Sequence, residues 1–300
     1  MVEEVRVVTE SNRIVEMLRA NPIDFADDLL AVRARFRALP GAEAPTAPAR
    51  VQESTLGGVP VIEISSPDDE GGIVVFVHAG GFVAGSARGS LALAGRIAAA
   101  CRRRLVSVDY ALAPEHPFPA ARDQVAAVFD ALVAEGEHPS RIALVGASAG
   151  AGLALQFVAA RGGSAAGPVP GALAVLSPFV DLALTGGSMT ANAADDPSLT
   201  RAGLARCARD YLGGRPSSVA DVLGAPLGHF PPTLVQVGGR EILLDDSVRL
   251  ASALAAAGVE VRFESWSGQV HVFPTFAAVL AEGREAIERI GEFVRRYAPA

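Results

Sequence analysis

From residue 51 onward, apolar residues fall into two alternating rhythms. Short apolar-rich runs of strand length, Ile73–Val77, Leu105–Val108, Ile142–Val145, Ala172–Leu176, Leu234–Val237 and Val259–Phe263, are separated by longer stretches. In those stretches, near 89–100, 120–134, 152–160, 201–211, 246–257 and 282–297, apolar positions recur every three or four residues, the period of a helix. Two further strands, Val51–Thr55 and Val59–Ile64, flank Leu56-Gly57-Gly58 and read as a hairpin. Strands apolar on both faces and alternating with helices predict an α/β fold, a mostly parallel central sheet covered by helices on each side. Ligands of such sheets bind beyond the carboxyl ends of the strands.

The first 40 residues carry a different pattern. Ile14, Val15 and Leu18, then Phe25, Leu29, Leu30, Val32 and Phe36, predict two amphipathic helices broken at Asn21-Pro22. A linker stiffened by prolines follows over 39–48. The expected organisation is an N-terminal helical cap segment over 1–45 and a main domain over 46–300, with a cap insertion at about 184–220.

Composition narrows the chemistry. The 300 residues suffice for one large domain, and no apolar run reaches membrane-spanning length. The start, Met1-Val2-Glu3-Glu4-Val5-Arg6, has neither the basic stretch nor the apolar core of a secretory signal, so a cytoplasmic protein is expected. A net charge of -7 argues against a nucleic-acid partner. Every one of the 26 basic residues is arginine, which removes lysine Schiff-base chemistry and a lysine phosphate loop. Cys101 and Cys207 are too few for a zinc site by themselves; reduced thiols are expected, with a disulfide as the alternative.

The candidate chemistry centres on Gly146-Ala147-Ser148-Ala149-Gly150, between the Ile142–Val145 strand and a helical stretch. Gly-x-Ser-x-Gly in that setting is the nucleophile elbow of α/β-hydrolases. Small residues two before and two after let strand and helix approach, so that the serine hydroxyl stands at a sharp turn by a helix N-terminus, where negative charge is favoured. After the Ile73–Val77 strand comes His78-Ala79-Gly80-Gly81-Phe82, where lipases and esterases of this fold place a glycine loop of oxyanion donors. The expected donors are the amides of Gly80, Gly81 and Ala149, with His78 ordering the loop by hydrogen bonding.

Taken together, His78-Ala79-Gly80-Gly81, Asp109-Tyr110-Ala111-Leu112-Ala113-Pro114-Glu115-His116-Pro117-Phe118-Pro119 and the serine pentapeptide resemble the hormone-sensitive lipase family of α/β-hydrolases, its bacterial carboxylesterases above all. The resemblance runs from about residue 70 to about 280 and takes in Leu176-Ser177-Pro178 and the stretch around His271. It implies a serine carboxylesterase acting through an acyl-enzyme, with no cofactor or metal, and a homodimer, which is common in the family. The Asp109–Pro119 stretch is expected to brace the oxyanion loop.

A serine nucleophile needs a base. Of five histidines, His78 and His116 belong to other motifs, and His138 and His229 lie in turn and loop contexts. His271 follows the last strand, as the order serine, acid, histidine requires, and Val270-His271-Val272-Phe273 is similar to the family's histidine loop. The acid should follow Leu234–Val237. Matched residue by residue to the family it falls on Glu241, with Asp245 and Asp246 as alternatives that helix N-terminal charge would also explain.

Ala79, Ala147, Ala111 and Glu241 depart from the commoner family residues, and Ala79 restricts the backbone beside the oxyanion turn. Phe82, Val83, Phe179 and Leu184 are expected to line a pocket for a small ester with a short acyl chain. Two other readings share this site: an acyltransferase, lactone-forming or eliminating enzyme of secondary metabolism, and a ligand-binding protein on a hydrolase frame.

Overall fold

The computed structural model describes residues 9–38, 49–65, 67–162 and 167–300. The proline-containing linker expected over 39–48, the boundary at 45 within it, and the first eight residues lie outside the described residues.

Eight strands form one sheet: β1 (Arg50–Leu56), β2 (Val59–Ser65), β3 (Ile73–Val77), β4 (Arg104–Val108), β5 (Ile142–Ala147), β6 (Ala172–Leu176), β7 (Thr233–Gly238) and β8 (Val261–Trp266). Their spatial order is β1-β2-β4-β3-β5-β6-β7-β8. β2 runs antiparallel to both β1 and β4, and every pair from β4 to β8 is parallel. Consecutive strands β5, β6, β7 and β8 are therefore neighbours, and the loops leaving them line up along one edge.

The continuous apolar runs arise because each strand feeds two cores at once. Ile73, Val75 and Val77 point into one core, and Val74 and Phe76 into the other. Ile142 and Leu144 of β5, and Leu173 and Val175 of β6, share the first core with helices α4 (Ala120–Ala134), α5 (Ala149–Ala160) and α8 (Leu244–Ala256). Val145, Ala172 and Ala174 share the second with α3 (Leu91–Cys101) and α9 (Ala281–Tyr297). Cys101 and Cys207 are free and buried, and burial pushes both thiols up to about 12.

Two expectations need adjustment. The last strand is shifted from 259–263 to 261–266, because Gly258 adopts a left-handed conformation (φ +82°) and the Val259 amide turns back to Leu254 O, ending α8. Phe25 lies in a turn between α1 (Glu10–Ala20) and α2 (Leu29–Arg37), not in a helix.

α1 packs Ile14 and Val15 against Val270, Phe273, Leu280 and Ala286, and Ser11 Oγ accepts a hydrogen bond from Gln269 Nε2 at 3.0 Å. α2 buries Val32 in the first core and leaves Leu30 71% exposed. The 184–220 segment carries the short α6 (Ser188–Ala191) and α7 (Arg201–Leu212), the latter capped by Thr200 Oγ1 accepting from the Gly203 amide. It meets the N-terminal helices through Thr200 Oγ1 to Asp24 Oδ1 (3.1 Å), Arg19 Nη2 to Ala194 O (3.0 Å), and the Arg206 guanidinium on the carbonyls of Ala26 and Asp27. Among the described residues no helix is long and apolar enough to cross a membrane.

Asp246, buried in the first turn of α8, fastens the chain after β6 by accepting from the amides of Val180 (2.9 Å) and Asp181 (2.8 Å). Burial pushes its pKa up to about 7, opposed by these amides and by Arg249, and reinforced by Asp181.

Two stability predictions follow from this packing. Ile290→Ala empties a fully buried site in α9 and should cost about 2–5 kcal/mol, whereas exposed Leu30→Ala should stay within about 0.5 kcal/mol; urea midpoints of the two variants test the contrast. For Asp246 the folded pKa lies above the unfolded value of about 3.9, so the native state takes up the extra proton between the two. The carboxylate is then least favourable above pH 7, and stability is regained as the pH falls towards 4. Asp246→Asn, which keeps an acceptor for the two amides, should be stabilised relative to the parent most at pH 8 and progressively less towards pH 5. A difference in melting temperature that stays constant across that range would refute the assignment.

Candidate active site

The elbow is built from close approach. A Cβ on Gly146 would lie 2.6 Å from Ala151 Cα, and one on Gly150 would lie 2.2 Å from Val77 O, so only glycine lets β5, β3 and α5 meet here. Between them Ser148 is held at φ 54°, ψ −120°. Its amide donates to Leu176 O at 2.8 Å, and its carbonyl accepts from Gly152 (3.1 Å) and Phe179 (3.2 Å), so the turn is tied to β6 and to its own helix.

The loops leaving β7 and β8 bring two more groups to this point. Ser148 Oγ and His271 Nε2 are 2.8 Å apart, and His271 Nδ1 is 2.7 Å from Glu241 Oε2. Since a carboxylate accepts at Nδ1, that nitrogen carries the proton and Nε2 is free to accept from the serine hydroxyl. Glu241 is fully buried, and its Oε1 accepts from Ser177 Oγ and from the Gly238 amide, each at 2.6 Å. Ser177 Oγ in turn accepts from the Val272 amide at 3.0 Å. One hydroxyl therefore joins the carboxylate to the backbone beside His271.

Of the alternative acids, Asp245 Oδ2 accepts from the Ser188 amide (2.9 Å) and Asp246 from the amides named above. Both are engaged with backbone amides, and neither is hydrogen-bonded to His271.

Gly80 and Gly81 have φ of 140° and 61°, and Gly80 O accepts from the amides of Val83 (3.1 Å) and Ala84 (2.9 Å), closing the loop after β3 into a turn. Ala149 is the first residue of α5, where amides have no partner within the helix. His78 braces the loop: Nδ1–H donates to Ala79 O (2.8 Å), the ring stacks on Tyr110 at 4.1 Å, and Tyr110 Oη donates to His78 O (2.9 Å). Burial lowers its pKa to about 4, so it is neutral at ordinary pH. Further bracing comes from the Ala113 amide on Phe82 O (3.0 Å) and from Arg33 of α2. That guanidinium donates to Val83 O (2.8 Å), Ala113 O (3.0 Å) and both oxygens of Glu115 (2.7 Å each), and holds the Glu115 carboxyl down near 2.

The four residues expected to line a pocket, Phe82, Val83, Phe179 and Leu184, are all buried in the first core. Phe82 stacks on Tyr211 of α7 at 4.1 Å and tilts against Phe179 at 5.6 Å. Above Gly81 sit Cys207 and Phe25: a Cβ there would fall 2.6 Å from Cys207 Sγ and 3.2 Å from the Phe25 ring. Ser148 retains 6% of its surface. Among the described residues no group of three or more His, Cys, Asp or Glu could hold a metal ion.

Sequence reasoning assigned no role to Ser177, Ser188, Asn192 or Asp196, all of which bond the turn carrying Glu241 or its side chain. Only Ser177 had a usable signal. It directly follows β6, the strand between those that deliver Ser148 and Glu241.

Known proteins resemble this chain over most of its length. A family profile described as the alpha/beta hydrolase fold matches residues 74–275. An acetyl-hydrolase of Streptomyces hygroscopicus is 37% identical over 228 residues, covering 75% of this chain and 76% of the relative. An esterase of Acinetobacter venetianus is 35% identical over 249 residues, covering 81% of each. The crystal structure of an esterase from the bacterial hormone-sensitive lipase family superposes with a TM-score of 0.91 at 36% identity, covering 99% of this chain and 100% of that one. On the family match and these likenesses together, the chain belongs to the hormone-sensitive lipase family of α/β-hydrolases and is a carboxylic ester hydrolase.

Proposed function

We propose that this enzyme hydrolyses short-chain esters through Ser148 as nucleophile, His271 as general base and acid, and Glu241 as the group that orients the imidazole. The observation that carries the reading is the unbroken hydrogen-bond chain from Ser148 Oγ through His271 to Glu241.

Ser148 Oγ attacks the ester carbonyl carbon while its proton passes to His271 Nε2. Glu241 keeps the Nδ1 tautomer and stabilises the imidazolium without itself taking the proton. The carbonyl oxygen, now carrying the negative charge, is met by the amides of Gly80, Gly81 and Ala149, each such donor contributing about 2.7–4 kcal/mol to the transition state. The C–O bond to the alcohol breaks, His271 Nε2 returns its proton to the departing oxygen, and an acyl-Ser148 ester remains. Water repeats the sequence, its proton going to His271 and then to Ser148 Oγ, releasing the acid.

The N-terminal helices and the 184–220 insertion form the cap in this reading. Cys207 and Phe25 pressed against Gly81, with Phe82 stacked on Tyr211, leave little depth for an acyl chain, which favours small acyl groups.

p-Nitrophenyl esters from acetate to decanoate test both parts. Turnover should be fastest on acetate and butyrate and fall steeply by octanoate. Ser148→Ala should lose about 10⁴-fold or more in kcat, and Glu241→Gln about 10³–10⁴-fold. A fluorophosphonate should label the parent at Ser148 and leave Ser148→Ala unlabelled. Hydrolysis that persists in Ser148→Ala at the parent rate would remove the nucleophile assignment.

A further inference from the structure

The mechanism above leaves one buried carboxylate on the Glu241 turn without a task. Asp196 lies in Asp195-Asp196-Pro197-Ser198, between α6 and α7 of the insertion, and is only 9% exposed. Oδ2 accepts from the Ile242 amide at 2.9 Å, while Oδ1 accepts from the amides of Ser198 (2.8 Å) and Leu199 (3.0 Å). Ile242 is the residue after Glu241, so the first of these bonds acts on the backbone of the acid itself.

Two neighbours in the same segment grip the same turn. Asn192 Nδ2 donates to Glu241 O at 2.8 Å, and Ser188 Oγ donates to Ile242 O at 2.6 Å. The Glu241–Ile242 backbone is thus held at both carbonyls and at the Ile242 amide by side chains from about fifty residues earlier. A carboxylate oxygen 2.7 Å from an imidazole nitrogen must be placed to a fraction of an ångström, and this grip supplies that placement.

We propose that Asp196 is a positioning residue for ester hydrolysis: it fixes the Glu241 turn through the Ile242 amide and so holds a second buried carboxylate within electrostatic range of the His271 imidazole. The proposal rests on Ser148, His271 and Glu241 being the reacting groups. Three amide donors and no acceptor meet Asp196, which is the solvation of a carboxylate rather than of a carboxylic acid. The titratable groups that act on it through space are His271 and Glu241. Burial raises its pKa, attraction to His271 lowers it and repulsion from Glu241 raises it. When His271 takes the serine proton, its positive charge is then met by Glu241 through a hydrogen bond and by Asp196 through space.

Asp196→Asn, Asp196→Glu, Asn192→Ala and Ser148→Ala should be compared with the parent on p-nitrophenyl acetate between pH 5 and 9. In Asp196→Asn, kcat should fall about tenfold with KM within about twofold, and the acid limb of kcat/KM should move to lower pH by about one unit. Asp196→Glu keeps the charge and should restore the acid limb while kcat stays reduced. Asn192→Ala loosens the same turn without altering charge, so its kcat should fall with the acid limb unmoved. A folded Asp196→Asn with the parent's kcat and pH profile overturns the proposal. Should that variant fail to fold, parent-like kcat in both Asp196→Glu and Asn192→Ala overturns it instead. Ser148→Ala keeps the two readings apart, because activity surviving there defeats the nucleophile assignment whatever the Asp196 variants do.

Discussion

The structure depends on one strained turn. Ser148 sits at φ 54°, ψ −120°, a backbone state that costs on the order of 1–3 kcal/mol for a residue with a side chain. It persists because the surroundings over-determine it: its amide is bound to β6, its carbonyl takes two amides, and the flanking strand and helix are pressed together across Gly146 and Gly150. The result is a hydroxyl at the start of α5, above the middle of a sheet, with little freedom to relax. Every other group in the site is placed relative to that hydroxyl.

Sheet order does the rest of the placement. With β5, β6, β7 and β8 adjacent and parallel, the residues leaving them, Ser148, Ser177, the Glu241 turn and His271, follow one another along the carboxyl edge. Hydrogen bonds then close the short gaps: Ser148 to His271, His271 to Glu241, Glu241 to Ser177, and Ser177 back to the Val272 amide. The last link makes a loop of the network, so that Glu241 cannot shift without loading both β6 and the His271 loop. Ser177 and Val272 share with Ser148 the positive φ that such tight junctions demand, at 48° and 47°.

Much of this was readable in the sequence for a physical reason. Strands buried on both faces give unbroken apolar runs, and β3 and β6 coincide with theirs to the residue. The elbow and the glycine loop were legible because close approach and positive φ restrict residue type. Edge strand β8 was misplaced because it is half exposed, and the apolar Val259 before it ends a helix instead. Leu30 fitted a helical rhythm yet faces outward, since periodicity alone does not say which stripe is covered. Phe82 and Phe179, expected by sequence at a pocket, are packed against each other, and Phe82 also against Tyr211. Polar clamps were the least visible. Ser188, Asn192 and Asp196 meet the Glu241 turn from about fifty residues away, and no local spacing encodes such a contact.

The N-terminal helices carry a constraint on how substrate reaches the serine. α1 is seated by Ile14 and Val15 on Val270 and Phe273, the residues on either side of the His271 pair, and by Ser11 on Gln269. Lifting it would expose two aliphatic side chains, at about 1.5–3 kcal/mol each, and would free the loop that holds the imidazole. α2 is similarly fixed by Arg33 to Val83 O of the glycine loop. A cover hinged on these two helices would open the site only by loosening the His271 loop and the glycine loop together. Access that preserves the catalytic geometry must therefore leave both helices seated, which makes them part of the apparatus that shapes the site and not a detachable lid above it.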